Sequence, residues 1–356
     1  MSDSISCQAA RILAIDLGKF NSVACDYRTA DGSHTYTAVK TRPKVLHDLI
    51  VDRSPDRVVI EIGSPAGWVR DLCDALEVPL QIANPNHEAW RWKNVKRKTD
   101  RDDALKLAKL SAVGQLPTVA VPASRVRQWR GLILYRAKLV GRRKAIKNSI
   151  RSLLDRQGMA MPIGAKAWTD KAMTTLAQEA RPLASCDPEE LWRGQLEMEL
   201  TAYAQSQVLI DLAEVKLDAL AEQDERVQRL RTIPGVGPRL SELLVAVIDD
   251  PQRFKSRKQV GAYIGLVPRQ LASGTMDRHS GITKSGHRLL RSMLVEVSWL
   301  MLRFNPELKR FYDQVCRGSK SRRKIAAVAT ARHLLVICWA MLRDKTEWSP
   351  PQRLVA

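Results

Sequence analysis

The sequence has no Cys-x-x-Cys pair. Its six cysteines (Cys7, Cys25, Cys73, Cys186, Cys316 and Cys338) are scattered along the chain. That spacing argues against a zinc site and a disulfide framework, and it fits a reducing cytoplasm. Long apolar runs are missing too. The longest, Leu334 to Leu342, has nine residues between His333 and Arg343, too short to span a bilayer and suited to a buried helix. Met1 to Ala10 are polar and show no signal-peptide pattern. There is no internal repeat, low-complexity tract, zinc finger or RNP box. Acid is in short supply: 38 Asp+Glu face 58 Lys+Arg, a net charge of +20. Such a balance favours a polyanionic partner, nucleic acid ahead of a membrane surface. The 45% hydrophobic content excludes wholesale disorder, and 356 residues suggest two or three domains.

What is present changes character along the chain. Residues 10–121 alternate strand and helix signals. Ile12–Asp16, Ser22–Tyr27 and Thr35–Val39 read as strands, Lys44–Asp52 as a helix, and Arg57–Ile62 as a strand. Ala66–Leu76 reads as a helix and Leu80–Ala83 as a strand. Three strands followed by alternating helices and strands predict a mixed sheet covered by helices. Next, Trp90, Arg91, Trp92, Lys93, Lys96, Arg97 and Lys98 crowd five cations and two indoles together. An amphipathic helix follows, with Thr99 or Asp100 as its N-cap.

Residues 123–157 predict a long basic helix. Arg125 to Arg156 holds eleven Lys/Arg and one acid, Asp155. Residues 187–230 predict a second long helix, capped by Asp187, with eleven acids and two bases between Asp187 and Glu225. Both carry a/d-like apolar spacing, so a basic and an acidic helix can pair as a coiled coil. The alternative is that the basic helix faces nucleic acid. Residues 158–186 read as a long irregular loop. Residues 231–344 read as mostly helical, with a loop-like interior PRQLASGTMDRHSGITKSGHR.

The carboxylates carry the chemistry. Asp16 and Glu61 stand at or near strand ends, and Asp100 and Asp103 are three apart at a helix start. Asp102 lies on a different helical face and is left out of the set. Each acid alone has a plainer reading as a turn or cap residue. Four carboxylates together would repel one another unless cations neutralise them. Hard divalent ions accept such oxygens, and two of them about 3.5–4 Å apart can serve both the attacking and leaving oxygens of a phosphoryl transfer.

The ordered set AIDLGK, VVIEIGSPAGW and KTDRDDA resembles the DEDD transposases of the Piv/MooV type, insertion-sequence family 110. The stretch TIPGVGPRLSELLVAVIDDPQRFKSRKQVGAYIGLVPRQLASG, followed by GITKSGHRLLRSML, resembles that family's C-terminal domain. The resemblance covers roughly residues 10–345, the middle helices by position and character alone. It implies an α/β, RuvC-like (RNase H-type) catalytic domain over residues 1–122, a helical coiled-coil region over 123–230 and a mostly α transposase domain over 231–356. It implies Mg²⁺, with Mn²⁺ as the alternative ion, held by Asp16, Glu61, Asp100 and Asp103. It implies a serine nucleophile, here Ser273 in PRQLASG, with Ser280 and Ser285 as rivals. Ser273 lies 170 residues after Asp103, so a site using both is composite.

The partners so implied are donor and target DNA, a structured guide (bridge) RNA and further copies of the chain in a dimer or tetramer, with no membrane. The setting is the prokaryotic cytoplasm, at the nucleoid. Arg91, Lys93, Lys96, Arg97 and Lys98, and Arg269, Lys284, His287, Arg288 and Arg291 around the serine, read as nucleic-acid contacts. Solvated basic faces are the alternative. Trp90 and Trp92 read as base-stacking or core residues. Ile233-Pro234-Gly235-Val236-Gly237 reads as a helix-hairpin-helix turn or an ordinary glycine turn. Two further readings stay open: a RuvC-like junction nuclease that uses water, and a non-enzymatic nucleic-acid-binding protein.

Overall fold

The computed structural model describes residues 9–85, 99–273 and 276–350, with 270–280 described by backbone alone. The chain divides into two compact units, Met1–Arg127 and Gln128–Ala356.

The first unit is built on a five-stranded sheet of order β3-β2-β1-β4-β5. β1 (Arg11–Asp16), β2 (Asn21–Arg28) and β3 (His34–Lys40) form an antiparallel meander. β4 (Arg57–Glu61) pairs parallel to β1, and β5 (Leu80–Ala83) parallel to β4. α1 (Pro43–Arg53) and α2 (Ala66–Ala75) are the crossover helices, and α3 (Asp100–Ala112) follows β5. The central strands are apolar on both sides because both faces are covered. Leu13, Ile15, Val58 and Ile60 pack with Leu46, Ile50, Val69 and Cys73 of α1 and α2. Ile12, Ala14 and Val59 pack with Ala104, Leu107 and Ala108 of α3.

The second unit is mostly helical. α4 (Ser124–Arg156) and α6 (Leu191–Glu222) run antiparallel, since Arg136 bonds Glu214, Arg143 bonds Gln207 and Ser149 bonds Glu199. Leu139, Ile210 and Ala213 are buried along this pair. At its far end Ile150, Leu153 and Leu154 meet Leu196 and Leu176 of α5 (Asp170–Glu179). At its near end Trp129, Ile133 and Leu217 join a core shared by α7 (Glu225–Arg231), α8 (Pro238–Ile248), α9 (Arg257–Ile264), α10 (Arg288–Met301) and α12 (Arg323–Asp344). α11 (Pro306–Cys316) packs on α12. α12 is long and apolar enough by composition to cross a membrane. Its Leu334, Leu335, Cys338, Trp339 and Leu342 are instead part of that core.

Three expectations from the sequence need correction. The helix expected over 187–230 breaks after Glu222, where the Asp224 carboxylate accepts from Arg226 N–H at 2.9 Å and starts α7. The loop expected over 158–186 contains α5, capped by the Thr169 hydroxyl. The loop-like stretch after α9 is a hairpin of β6 (Pro268–Ser273) and β7 (Met276–Ile282), paired from Pro268↔Ile282 to Ser273↔Met276. Its polar residues draw stability from the mutual backbone ladder, which leaves no alternating apolar signal in the sequence.

Candidate active site

Strand parity and register place the first two carboxylates side by side. Asp16 shares the parity of Ile12 and Ala14, and Glu61 that of Val59, so both belong to the sheet face that α3 covers. β1 and β4 are parallel, with Ala14 opposite Val59 and Ile15 opposite Ile60. One further step brings Asp16 opposite Glu61 at the carboxyl ends of both strands.

α3 packs on the same sheet face, and a polar cluster anchors its far end. Arg57, at the start of β4, donates to the Ser111 hydroxyl at 3.4 Å, and Ser111 donates to the Gln81 side chain at 2.7 Å. Asp103 is buried, on the same side of α3 as Ala104, Leu107 and Ala108. Asp100, one turn earlier, is exposed.

Thr99 is the N-cap of α3. Its hydroxyl accepts from Asp102 N–H, and the Asp102 carboxylate accepts from Thr99 N–H at 3.1 Å, a reciprocal capping box. Asp102 is thus committed to the helix start. The structure places Asp16 and Glu61 on one sheet face and Asp103 on the side of α3 that packs against it. Among the described residues no three His, Cys, Asp or Glu side chains gather as a metal-holding group. The donors are hard carboxylate oxygens, so their chemistry is of the type that Mg²⁺ prefers.

In the second unit, β6 ends at Ser273; nothing further is described of its side chain. Arg269, Lys284 and Arg288 are exposed. Arg291 donates to Ile264 C=O and Ser285 C=O, both at 2.8 Å, and so pins the segment before α10 to α9. His287 is the N-cap of α10, its Nδ1 accepting from Leu290 N–H at 3.2 Å. Burial, helped by the positive charges of Arg130 and Arg291, lowers the His287 pKa and favours the neutral ring that can accept. The glycine turn Ile233–Gly237 joins α7 to α8. Gly235 has φ +92°, and Gly237, the N-cap of α8, has open space where a Cβ would lie. Arg91, Lys93, Lys96, Arg97, Lys98, Trp90 and Trp92 lie outside the described residues.

Sequence reasoning missed a buried ion-pair network in the second unit. Glu242, 1% exposed within apolar α8, accepts from Arg239 at 3.1 Å, and Arg239 also pairs with Asp218 of α6. Burial pushes the Glu242 carboxyl up to about 7. The i,i+3 pair Arg239/Glu242 beside an apolar run is the signal that could have revealed it.

Comparison with known proteins bears on this arrangement. A family model described as a transposase, the DEDD type of IS110, matches residues 13–158, which hold all four acids. A second, described as the transposase IS116/IS110/IS902 family, matches residues 227–313. The transposase for insertion sequence element IS1111A of Coxiella burnetii is 31% identical, over 80% of this chain and 77% of its own length. The chain belongs to the IS110/IS116 family of transposases. A probable family 20 transposase of Pseudomonas aeruginosa is 28% identical over 81% of this chain and 84% of its own. The pilin gene-inverting protein of Moraxella lacunata is 26% identical over 74% of this chain and 73% of its own. This IS110-family chain is therefore a DNA transposase/recombinase with an α/β sheet domain ahead of a mostly helical region.

Proposed function

We propose that this transposase cuts and rejoins DNA with Ser273 as nucleophile and a Mg²⁺-binding carboxylate group formed by Asp16, Glu61, Asp103 and Asp100. The observation that carries the reading is the common sheet face of Asp16 and Glu61, paired in register, with Asp103 on the helix side packed against it. The sheet order, an antiparallel β1–β3 meander followed by parallel β4 and β5, supports a RuvC-like, RNase H-type domain. We assign it to residues 1–122, a helical coiled-coil region to 123–230 and the transposase domain to 231–356.

In the proposed step the Ser273 hydroxyl oxygen forms a bond to a DNA phosphorus, and the bond from phosphorus to the 3′ oxygen breaks. The serine proton ends on the departing 3′-hydroxyl, and the 5′ side stays on the enzyme as a phosphoserine ester. A 3′-hydroxyl from another strand reverses the step, so rejoining needs no ATP. A serine hydroxyl is a weak nucleophile until activated. Bound Mg²⁺, or Mn²⁺, would neutralise negative charge on the phosphate oxygens. Arg269, Lys284, His287, Arg288 and Arg291, with Arg91, Lys93, Lys96, Arg97 and Lys98, are assigned to holding nucleic-acid backbones. The α8 N-terminus after Gly237 is a further phosphate contact.

The +20 charge and the absence of a recognisable sequence-reading motif in the sequence support delegation of specificity to a structured guide RNA paired with donor and target DNA. A second apolar seam on α6 supports a homo-oligomer: Met198, Val208, Leu212 and Val215 are 55%, 58%, 64% and 70% exposed, at heptad-like spacing. The acidic α6 and basic α4 of two copies carry complementary charge. The place of action is the prokaryotic cytoplasm, at the nucleoid.

The test is a denaturing gel of protein incubated with Mg²⁺, guide RNA and donor and target DNA. A covalent protein–DNA adduct that disappears in Ser273→Ala, and loss of cleavage with binding retained in Asp16→Asn or Asp103→Asn, are expected. Full strand exchange by Ser273→Ala would refute the nucleophile. Cleavage without an adduct would favour a nuclease that uses water, and unchanged activity in EDTA would remove the metal.

A further inference from the structure

α11 ends and α12 begins at a basic corner. Five of the eight residues from Arg317 to Lys324 are cations, and no Asp or Glu stands between Asp313 and Asp344. The acids of α11 are already committed, Asp313 to Lys309 at 2.8 Å and Glu307 to Arg310. Arg317, Lys320, Arg323 and Lys324 are exposed, and among the described residues none of them forms an ion pair.

The corner is held by its own bonds. Arg317 (φ +51°) and Gly318 (φ +71°) turn the chain. Arg317 N–H donates to Asp313 C=O at 2.8 Å, and the Arg322 guanidinium donates to Val315 C=O at 2.9 Å. Tyr312 and Cys316 are buried with Ala326 and Ala327 of α12. Arg322 thus braces the turn and leaves the other four cations unengaged. Arg323 and Lys324 also occupy the first turn of α12, where the helix dipole is positive and a cation costs stability. A braced corner that crowds like charges at that helix end, with no acid to offset them, suits a polyanion.

This surface is separate from the basic group around the hairpin. Lys284 and Arg288 stand before and at the start of α10, whose 14 residues span about 21 Å. Leu302, just past the other end of that helix, packs with Tyr312 and Ala326 at the corner.

We infer that the α11–α12 corner grips the backbone of duplex DNA, with Arg317, Lys320, Arg323 and Lys324 as phosphate contacts. The chain is a DNA transposase, and the duplex it acts on carries one charge per roughly 1.7 Å of its axis. Backbone contacts carry no sequence information, so the corner adds grip without choosing the site. The contact does not depend on the assignment of Ser273 or of the carboxylates.

The experiment is binding of the full chain to a mixed-sequence DNA duplex, followed by fluorescence anisotropy over a series of salt concentrations. In Lys320→Gln with Lys324→Gln the slope of log K against log salt should fall by about two, close to one per cation, and adding Arg323→Gln should bring the fall to about three. Lys320→Arg with Lys324→Arg should keep the wild-type slope. Loss of positive charge at the start of α12 should leave Tm unchanged or raised. Lys166→Gln with Lys171→Gln, two exposed cations at and before α5, should leave the slope nearly unchanged.

A wild-type slope in the triple variant would overturn the inference. An equal fall in the Lys166 and Lys171 pair would do the same, since the charge of the whole chain would then be acting. So would a lowered Tm, which would make these cations structural, or a fall seen with structured RNA and not with the DNA duplex.

Discussion

Replacing Glu242 with Gln keeps the size of the buried side chain and removes its titration. In the folded chain burial holds this carboxyl at about 7, against 4.5 without such burial. Between those values the folded state keeps a proton that the unfolded state has released, so stability falls as pH rises. The loss begins near the unfolded value and is complete above the folded one. A difference of about 2.5 pKa units at 1.36 kcal/mol each gives about 3 kcal/mol. For a unit of this size, that corresponds to a shift in Tm of about 6–12 °C.

The assay is thermal unfolding of wild type and Glu242→Gln at several pH values from 5 to 8, followed by tryptophan fluorescence. Wild-type Tm should fall with pH more steeply than that of Glu242→Gln, and the curves should run parallel above pH 7. Parallel curves over the whole range would show that Glu242 ionises as freely in the folded chain as in the unfolded one. The claim that its burial governs its charge would then fail.

Other expectations are as direct. Thr99→Ala removes the capping hydroxyl of α3 and should cost the first unit about 1 kcal/mol in denaturant unfolding. Because Asp102 then loses its reciprocal partner, Thr99→Ser should recover most of that loss. Leu212→Glu with Val215→Glu places charge on the exposed seam of α6 without touching the buried Ile210–Leu217 side. Sedimentation should show a smaller assembly with unchanged helical circular dichroism; an unchanged assembly would show that this seam is not the contact between copies.

Much of the first unit was legible because its central strands, β1 and β4, are apolar on both faces and end abruptly. The run expected at Leu80–Ala83 coincides with β5, and those at Ser22–Tyr27 and Thr35–Val39 lie within β2 and β3. The central helices were harder. An a/d pattern that continues through Leu220 and Val227 does not register the break at Gln223, which a local Asp224 cap creates. The β6–β7 hairpin is polar and glycine-containing, and its ladder joins residues that periodicity treats separately.

At the site, D-x-x-D spacing puts Asp100 and Asp103 on one side of α3. It does not reveal that the sheet buries one and leaves the other in solvent. Nor could sequence show that Arg57, Ser111 and Gln81 anchor the far end of the helix, because those three positions meet only in the folded sheet.

The place of α3 in the chain also orders events during synthesis. The meander β1–β3 can form from local contacts as soon as it leaves the ribosome, and β4 and β5 can add in turn. Among the described residues, the helix that covers the face bearing Ile12, Ala14, Val59 and Ala83 is α3, made after all five strands. Asp103 arrives with that cover. Asp16 and Glu61 are thus made well before the helix that packs on their sheet face. The third acid joins them in the same event that seals the core.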